Sequence, residues 1–591
     1  MAGFGTLLWM SWSRVAVTFV LTVLLWPSLG AQPVSPSQQD RAQPAYDWLF
    51  LGGRVLDGSG NPWFLADLAV KDGRIAAIGD LGQARASRKV EMNGRFIVPG
   101  FIDLHSHADD SLRSSRGLRS SDPQRRAAPN LVSQGITTAV VNQDGRSPWP
   151  IAEQKSELIE LGIGLNAVLL AGHGTLRGQV MGADFKRPAR PDEVQQMREL
   201  LRQALAQGAW GVSAGLEYEP GRWSTTDELV ELMKEVAAAG GVYISHQRSE
   251  GADPMWFWPS RSQNRPPSLL DAVRETIEIG ERSGATVVAS HIKAKGEHYW
   301  GASQAAIELI ERARQRGVEV WADQYPYDTT GSDGSTVLIP RWVWRPASPG
   351  QETEEDDGED APPEAYGQAL RSVLADPEAA PLLRRDVAHE IARRGGPDKI
   401  VVFDHPDPAM IGRTLSELAA SHGISPVEMA FKLQLEGYGN RPGGARLRGF
   451  SLAESDIRRY ARRPWTATAS DAGIALPEDG AVHARYYGTF PRKLRRYAIE
   501  RSVLSLADAV RSSTSLPARI LRLSDRGLLQ AGLAADLVVI DIDDLQDQAT
   551  FFKPHQHASG VDFVLVNGRA VLDQGRLTGE LAGRVLLPHR R

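Results

Sequence analysis

Between residues 101 and 471 the chain repeats one pattern: a short apolar run, a polar loop, then an amphipathic stretch. The eight runs are "FIDLH", "TTAVVN", "LNAVLLAG", "WGVSAG", "VYISH", "TVVASH", "VEVWAD" and "TATASD". Near-continuous apolar runs of this kind suit strands of a parallel sheet covered by helices. In "PDEVQQMRELLRQALAQ", Val194, Met197, Leu201 and Leu205 fall on one helical face, with Pro191 and Asp192 at its start. "SLLDAVRETIEIGERSG" and "SQAAIELIERARQRG" repeat that pattern and end in Gly. Eight strand–helix units predict an α/β chain folded as a (β/α)8 barrel. The gap from Tyr327 to Tyr460 far exceeds one βα connection, so a subdomain inserted at about 330–460 is expected between the last two barrel strands. It contains the acidic, Pro-rich "SPGQETEEDDGEDAPPE".

Both flanks read differently. "DWLFLGGRVLDGSG", "DLAVKDGRIAAIGDL" and "RKVEMNGRFIV" carry Asp-Gly and Asn-Gly pairs that favour hairpins. "AADLVVIDI", "VDFVLVNGRAVLDQGRL" and "AGRVLL" repeat the style near the other end, so residues 46–97 and 522–591 are expected to pair into one small β domain around a barrel of 98–521. Residues 1–30 have the layout of a secretory signal peptide. Arg14 precedes an uncharged apolar run from Val15 to Trp26, and Ser28 and Gly30 stand at −3 and −1 of a cut before Ala31. Residues 31–45 read as a flexible leader. The expectation is an exported protein, periplasmic or secreted; an uncleaved membrane anchor is the alternative.

A chain of 591 residues is too long for one simple core. Its 67 basic and 72 acidic residues leave a net charge of −5, which argues against a nucleic-acid partner. There is no cysteine, so disulfides are excluded and any transition metal must be held by imidazole, carboxylate or water.

Barrel active sites gather side chains from the C-terminal ends of several strands. The first run ends in His105 and His107, the second in Asn142, Gln143 and Asp144, the third in His173, the fifth in His246, the sixth in His291 and the eighth in Asp471. Five of the 13 histidines therefore end predicted strands on one rim. A lone histidine there would be read as a hydrogen-bonded structural residue, but five with carboxylates point to a metal site. Residues i and i+2 of an extended segment point the same way, so His105 and His107 can reach one ion. Imidazole with carboxylate suits zinc and similar divalent ions, which activate water for hydrolysis. Asp471 is placed to accept a proton from that water and deliver it to a leaving amine.

The segments "VPGFIDLHSHADDSL", "AGHGTLRGQVMG", "GGVYISHQRSE", "SHIKAKG", "DQYPYD", "HARYYGTFPRKL" and "STSLPARILRLSDRGLLQAGLAADLVVID" resemble those of the amidohydrolase superfamily, specifically its N-acyl-D-amino-acid deacylases (D-aminoacylases). The resemblance spans nearly everything from residue 48 onward, apart from the acidic insertion. It implies a distorted (β/α)8 TIM barrel beside a small β-sandwich built from both chain ends. It also implies zinc-dependent removal of the acyl group from N-acyl-D-amino acids, with dipeptides ending in a D-residue as further substrates. By the same resemblance His246 and His291 hold the tighter of one or two zinc ions, His105 and His107 belong to a second position, and Asp471 is the general acid/base. Arg485 and Tyr325 are the implied contacts to the substrate carboxylate, with Ser332 or Ser335 beside them. One departure stands out. Where the family places a cysteine in a G-N-C-G context, this chain has "VVNQDG", with Asp144 at that place. A carboxylate ligand would widen the metal preference from zinc towards manganese or iron. Trp256 and Trp258 in "DPMWFWPS" are read either as an apolar wall for the substrate or as packing for an inserted loop. A cyclic-amide hydrolase of the dihydroorotase or hydantoinase kind, and a binding protein with a decayed metal site, remain the rival readings.

Overall fold

The computed structural model describes residues 45–109, 117–262, 264–331, 336–344 and 365–588. The expected signal peptide, nearly all of the leader, the acidic "SPGQETEEDDGEDAPPE", Ser332 and Ser335 lie outside the described residues. No described helix is long and apolar enough to cross a membrane.

Parallel strands Phe101–Asp103, Ile136–Val141 and Asn166–Leu169 pair in that order. A second parallel run joins Ala171–Gly172, Gly211–Gly215, Val242–His246, Thr286–Ala289, Val320–Gln324 and Thr466–Thr468. The third apolar run belongs to both, because Asn166–Leu169 continues after one residue into Ala171–Gly172. Closure between the last strand and the first is made higher up. Ser106–His107 pairs in parallel with Ala472–Gly473, and Asp471 donates its backbone N–H to the His105 carbonyl at 2.9 Å. The eight runs thus form a distorted barrel, and the closing seam runs through the residues of greatest chemical interest.

The helices between the strands form where the 3.6-residue pattern and the end signals agree. In Pro191–Gln207 the side chains of Met197, Leu201 and Leu205 are buried, Val194 is half-buried, Pro191 occupies the first turn, and Gly208 closes the helix at φ +116°. Leu269–Ser283 begins with Ser268 and Asp271 in a reciprocal cap and ends at Gly284. Together with the strands they bury one large apolar core, reaching from Leu104 and Val141 to Ile244, Val288 and Ala467.

Between the seventh and eighth barrel strands lies the insertion. Helices Ala365–Ala375, Ala379–Arg393, Leu415–His422 and Pro426–Glu436 surround the antiparallel pair Ile400–Asp404 and Arg446–Gly449. They have their own core, including Leu383, Val387, Val402, Leu415 and Phe431. The expected limit near 460 falls too late: Glu454–Ala461 belongs to the barrel wall, where Asp456 accepts from the Gly301 N–H and the Ser303 hydroxyl, one end of the barrel helix Ser303–Gln315.

Both flanks enter one nine-stranded sheet, in which Phe96–Pro99 pairs with Leu537–Ile540. The sheet curls on itself, because Phe50 of Tyr46–Val55 meets Phe563 of Val561–Val566 edge-on at 6.2 Å although two strands separate them in order. A separate apolar core including Phe50, Val70, Ile97, Val539 and Leu565 fills the fold. Asp72-Gly73 and Asn567-Gly568 make tight hairpins with positive φ at both positions. Asn93-Gly94 has the same conformation but makes no hairpin: Ala86–Glu91 and Phe96–Pro99 lie one after the other along the same edge of Tyr46–Val55. The end of the chain also differs from expectation. Gly583 and Leu586 donate backbone N–H groups to Ile163 and Ala167, so "AGRVLL" packs against the barrel.

Candidate metal centre

The second barrel strand delivers Asp144 through a tight loop. Asn142, Asp144 and Gly145 all have φ near +60° or above, at +65°, +58° and +77°. A side chain on Gly145 would meet the Gly215 backbone nitrogen at 2.8 Å, so only glycine lets this loop lie so close to the fourth strand. Two other rim residues, His291 at φ +34° and Asp471 at +51°, also hold left-handed conformations. For non-glycine residues this costs about 1–3 kcal/mol each, and such strain clusters where side-chain direction is functional.

The result is a carboxylate surrounded by four imidazoles. Asp144 Oδ1 lies 3.4 Å from His105 Nε2, 3.7 Å from His246 Nδ1 and 3.8 Å from His291 Nε2, while Oδ2 lies 3.5 Å from His107 Nε2. Neighbouring ligands on a tetrahedral ion with bonds of about 2 Å are roughly 3.3 Å apart. Asp144 is shared by two groups of mutually close donors, one with His105 and His107, the other with His246 and His291. His105 Nε2, His246 Nδ1 and Asp144 Oδ1 are buried and have no hydrogen-bond partner among the described residues. Buried polar atoms are rarely left unpaired, and three that face one another are what a divalent cation would satisfy. The donor set fits such an ion.

Burial opposes the ionised form of Asp144, yet His105, His291, His246 and His107 together hold its carboxyl below the ordinary range. Burial moves His105 well below its usual value, leaving it a neutral donor. His107 is the outermost of the four imidazoles, with one third of its side chain exposed. Burial would lower it, but Asp471 at 3.2 Å and Asp144 push it up instead.

Asp471 sits at the barrel seam. Its Oδ2 accepts from the Arg485 guanidinium at 2.8 Å, and against the cost of burial Arg485 and His107 keep it ionised well below the usual carboxylate range. Arg485 is buried in the first turn of Arg485–Arg492, so it is committed in part to Asp471 and is not a surface salt bridge. Its guanidinium lies 4.7 Å over the ring of Tyr325, and Lys293 Nζ lies 5.5 Å from the same ring. The Tyr325 hydroxyl is buried and has no hydrogen-bond partner among the described residues.

Other rim residues have structural partners. Asn142 exchanges hydrogen bonds with Gln154, Gln143 donates to the Leu104 and Val140 carbonyls, and His173 pairs with Glu228 at 2.8 Å. The aromatic loop packs on the insertion: Arg393 lies 5.2 Å over the Trp258 ring and donates to the Pro254 carbonyl. Trp256 is covered by Arg222 at 5.2 Å.

Sequence reasoning passed over the fourth and seventh strand ends. Glu217 follows the fourth strand and pairs with His246 Nε2 at 3.0 Å. Asp323, inside the seventh, accepts from Ser290, whose hydroxyl lies 2.7 Å from His105 Nδ1. Applying the strand-end rule to "WGVSAGLEYE" and "VEVWADQ" finds both regions. Glu250 and Lys293 form a buried ion pair beside His291 and carry a local signal, spaced four and two residues after a histidine of the rim.

The model of the amidohydrolase family matches residues 90–333 and 374–572. The D-aminoacylase of Alcaligenes xylosoxydans xylosoxydans is 34% identical over 573 residues, covering 93% of this chain and 99% of that one. This chain belongs to the amidohydrolase family, among the N-acyl-D-amino-acid deacylases. Solved relatives agree. A D-aminoacylase with a binuclear metal center shares 32% identity at a TM-score of 0.67, over 92% of this chain and all of that one. The N-acyl-D-glutamate deacylase of Bordetella bronchiseptica, complexed with zinc and a phosphonate mimic of the tetrahedral intermediate, shares 30% at 0.68 over the same proportions. The barrel with a β domain made from both chain ends is thus the deacylase architecture.

Proposed function

We propose that this chain is a zinc-dependent hydrolase that removes the acyl group from N-acyl-D-amino acids. The observation that carries the reading is Asp144, shared at 3.4–3.8 Å by four histidines from the first, fifth and sixth strands, with Asp471 alongside. Zinc bound there supplies polarisation of the scissile carbonyl and activation of water. Manganese or iron would suit the all-nitrogen-and-oxygen donor set as well.

The protein's own residues then divide the work. Asp471, kept ionised by Arg485, accepts a proton from water and passes it to the departing nitrogen. His107 Nε2, 3.2 Å from Asp471 Oδ1, fixes the second oxygen of that carboxylate. The Tyr325 hydroxyl, unpaired among the described residues and carried on a ring close to Arg485 and Lys293, offers a donor in a positive field for the substrate carboxylate. A cyclic-amide hydrolase would need a carbamylated lysine at the metal site, and both nearby lysines, Lys293 and Lys295, are paired with Glu250. Export is part of the proposal, supported by Arg14, the apolar run to Trp26, and Ser28 and Gly30.

The test is a panel of N-acetyl-D- and L-amino acids, dipeptides and hydantoins given to the zinc-reconstituted protein. Release of free D-amino acid is expected. Cleavage of cyclic amides alone would replace the reading with the hydantoinase one; failure to retain metal would favour a decayed site.

A further inference from the structure

His246 presents its two ring nitrogens to different surroundings. Nδ1 faces Asp144 and has no hydrogen-bond partner among the described residues. Nε2 lies 3.0 Å from Glu217 Oε2, and Glu217 is itself held in place because its Oε1 accepts the Met255 backbone N–H at 2.6 Å. Glu217 is 1% exposed, so water does not compete for either oxygen. A ring that gives Nδ1 to a cation keeps one proton, on Nε2, and that proton needs an acceptor.

We propose that Glu217 is a positioning residue that accepts the Nε2 proton of His246 and so aims Nδ1 at the cation shared with Asp144. The inference rests on the reading of this rim as a metal site. His105 shows the same construction from other elements: the Ser290 hydroxyl donates to Asp323 at 2.8 Å, so its oxygen accepts from His105 Nδ1 and leaves Nε2 facing Asp144. An acceptor stands behind each of these inward imidazoles.

A rival use of Glu217 is geometrically available. One donor atom each from Glu217, His246 and Glu250 lie within 4.8 Å of one another, as an ion of their own would require. Charge argues against it. Glu250 already faces the ammonium groups of Lys293 and Lys295, and both would repel a further cation.

Glu217→Gln separates positioning from packing. The amide is nearly isosteric, but its single oxygen can serve either the Met255 N–H or the His246 N–H. Whichever it serves, the NH2 group confronts the other donor. Zinc affinity of the full-length protein, measured by chelator competition, is expected to fall about 10- to 100-fold in this variant, with Tm of the metal-free protein close to wild type. A folded Glu217→Gln with wild-type zinc affinity would overturn the proposal. A second measurement needs no variant fold: with nitrogen-15 histidines in the zinc-loaded wild type, the His246 proton is expected on Nε2, and a proton on Nδ1 overturns it. Wild-type protein that takes up no zinc overturns the metal-site reading instead, so the two failures are distinguishable.

Discussion

Two buried polar clusters in this molecule have similar ingredients and opposite construction. At the junction of barrel and β domain, Asp536 accepts from the Asn567 N–H at 2.6 Å, from Asn166 at 2.9 Å and from Arg526. Asn567 in turn donates to Asn166 and to the Ala582 carbonyl, and the Arg584 N–H reaches Asn166 at 3.0 Å. All four polar side chains of this cluster have partners, and it locks the C-terminal flank to the third barrel strand. The rim around Asp144 is the reverse. Among the described residues, three of its buried atoms lack hydrogen-bond partners and point at a common volume, and three of its residues, Asp144, His291 and Asp471, bend the backbone into left-handed conformations. A cluster built for stability closes on itself; this one is left open towards a ligand.

The contrast has measurable edges. Removing Asp144 should act on chemistry. In Asp144→Ala, bound zinc and deacylase activity are both expected to collapse, whereas Asp471→Asn should keep its zinc and lose about 10²- to 10⁴-fold in kcat. Metal analysis beside single-substrate kinetics checks the pair, and equal metal loss in both variants would erase the division of roles. Asp536→Ala should do the opposite. It leaves Arg526 with only the partly exposed Asp525 as a carboxylate partner, so stability should drop by about 2–3 kcal/mol, read by denaturant unfolding, while zinc stoichiometry of the folded fraction is unchanged. Lost zinc in that folded fraction would mean the clusters are not independent.

A third kind of buried charge offers the smallest effect. Lys493 is buried with, among the described residues, only the Thr468 hydroxyl as a partner, and burial alone pushes its ammonium down to about 7. Its folded value lies below the unfolded one, so between about pH 7 and pH 10 the unfolded chain binds more protons and stability rises with pH, by roughly 1 kcal/mol per unit. Lys493→Met is expected to remove that slope. Denaturation curves across this range check it, and an unaltered slope would show that Lys493 is not its source.

Much of this was legible before any coordinates. Barrel strands, helix caps and the inserted segment each leave a local signature, because period, capping residues and turn dipeptides act over a few residues. His105, His107, Asp144, His246, His291 and Asp471 were found by a single rule, that strand ends share a rim. The rule carries no information about which end residues turn inward. Asn142, Gln143 and His173 satisfy it as well as the others do, yet all three are held by structural hydrogen bonds. The Asn93-Gly94 turn failed as a hairpin for a related reason. A dipeptide sets the local reversal but not the strand its neighbours will pair with.

The repeat of strand and helix, the absence of thiol ligands and the set of imidazoles and carboxylates from which a site could be made are written in the chain itself. That Asp144 stands among four histidines, that Arg485 is partly spent on Asp471 and that Glu217 backs His246 follows from the folded arrangement alone. Those relations join residues tens to hundreds of positions apart. They depend on barrel closure and strand register, which arise from packing the whole core rather than from any neighbouring stretch of chain.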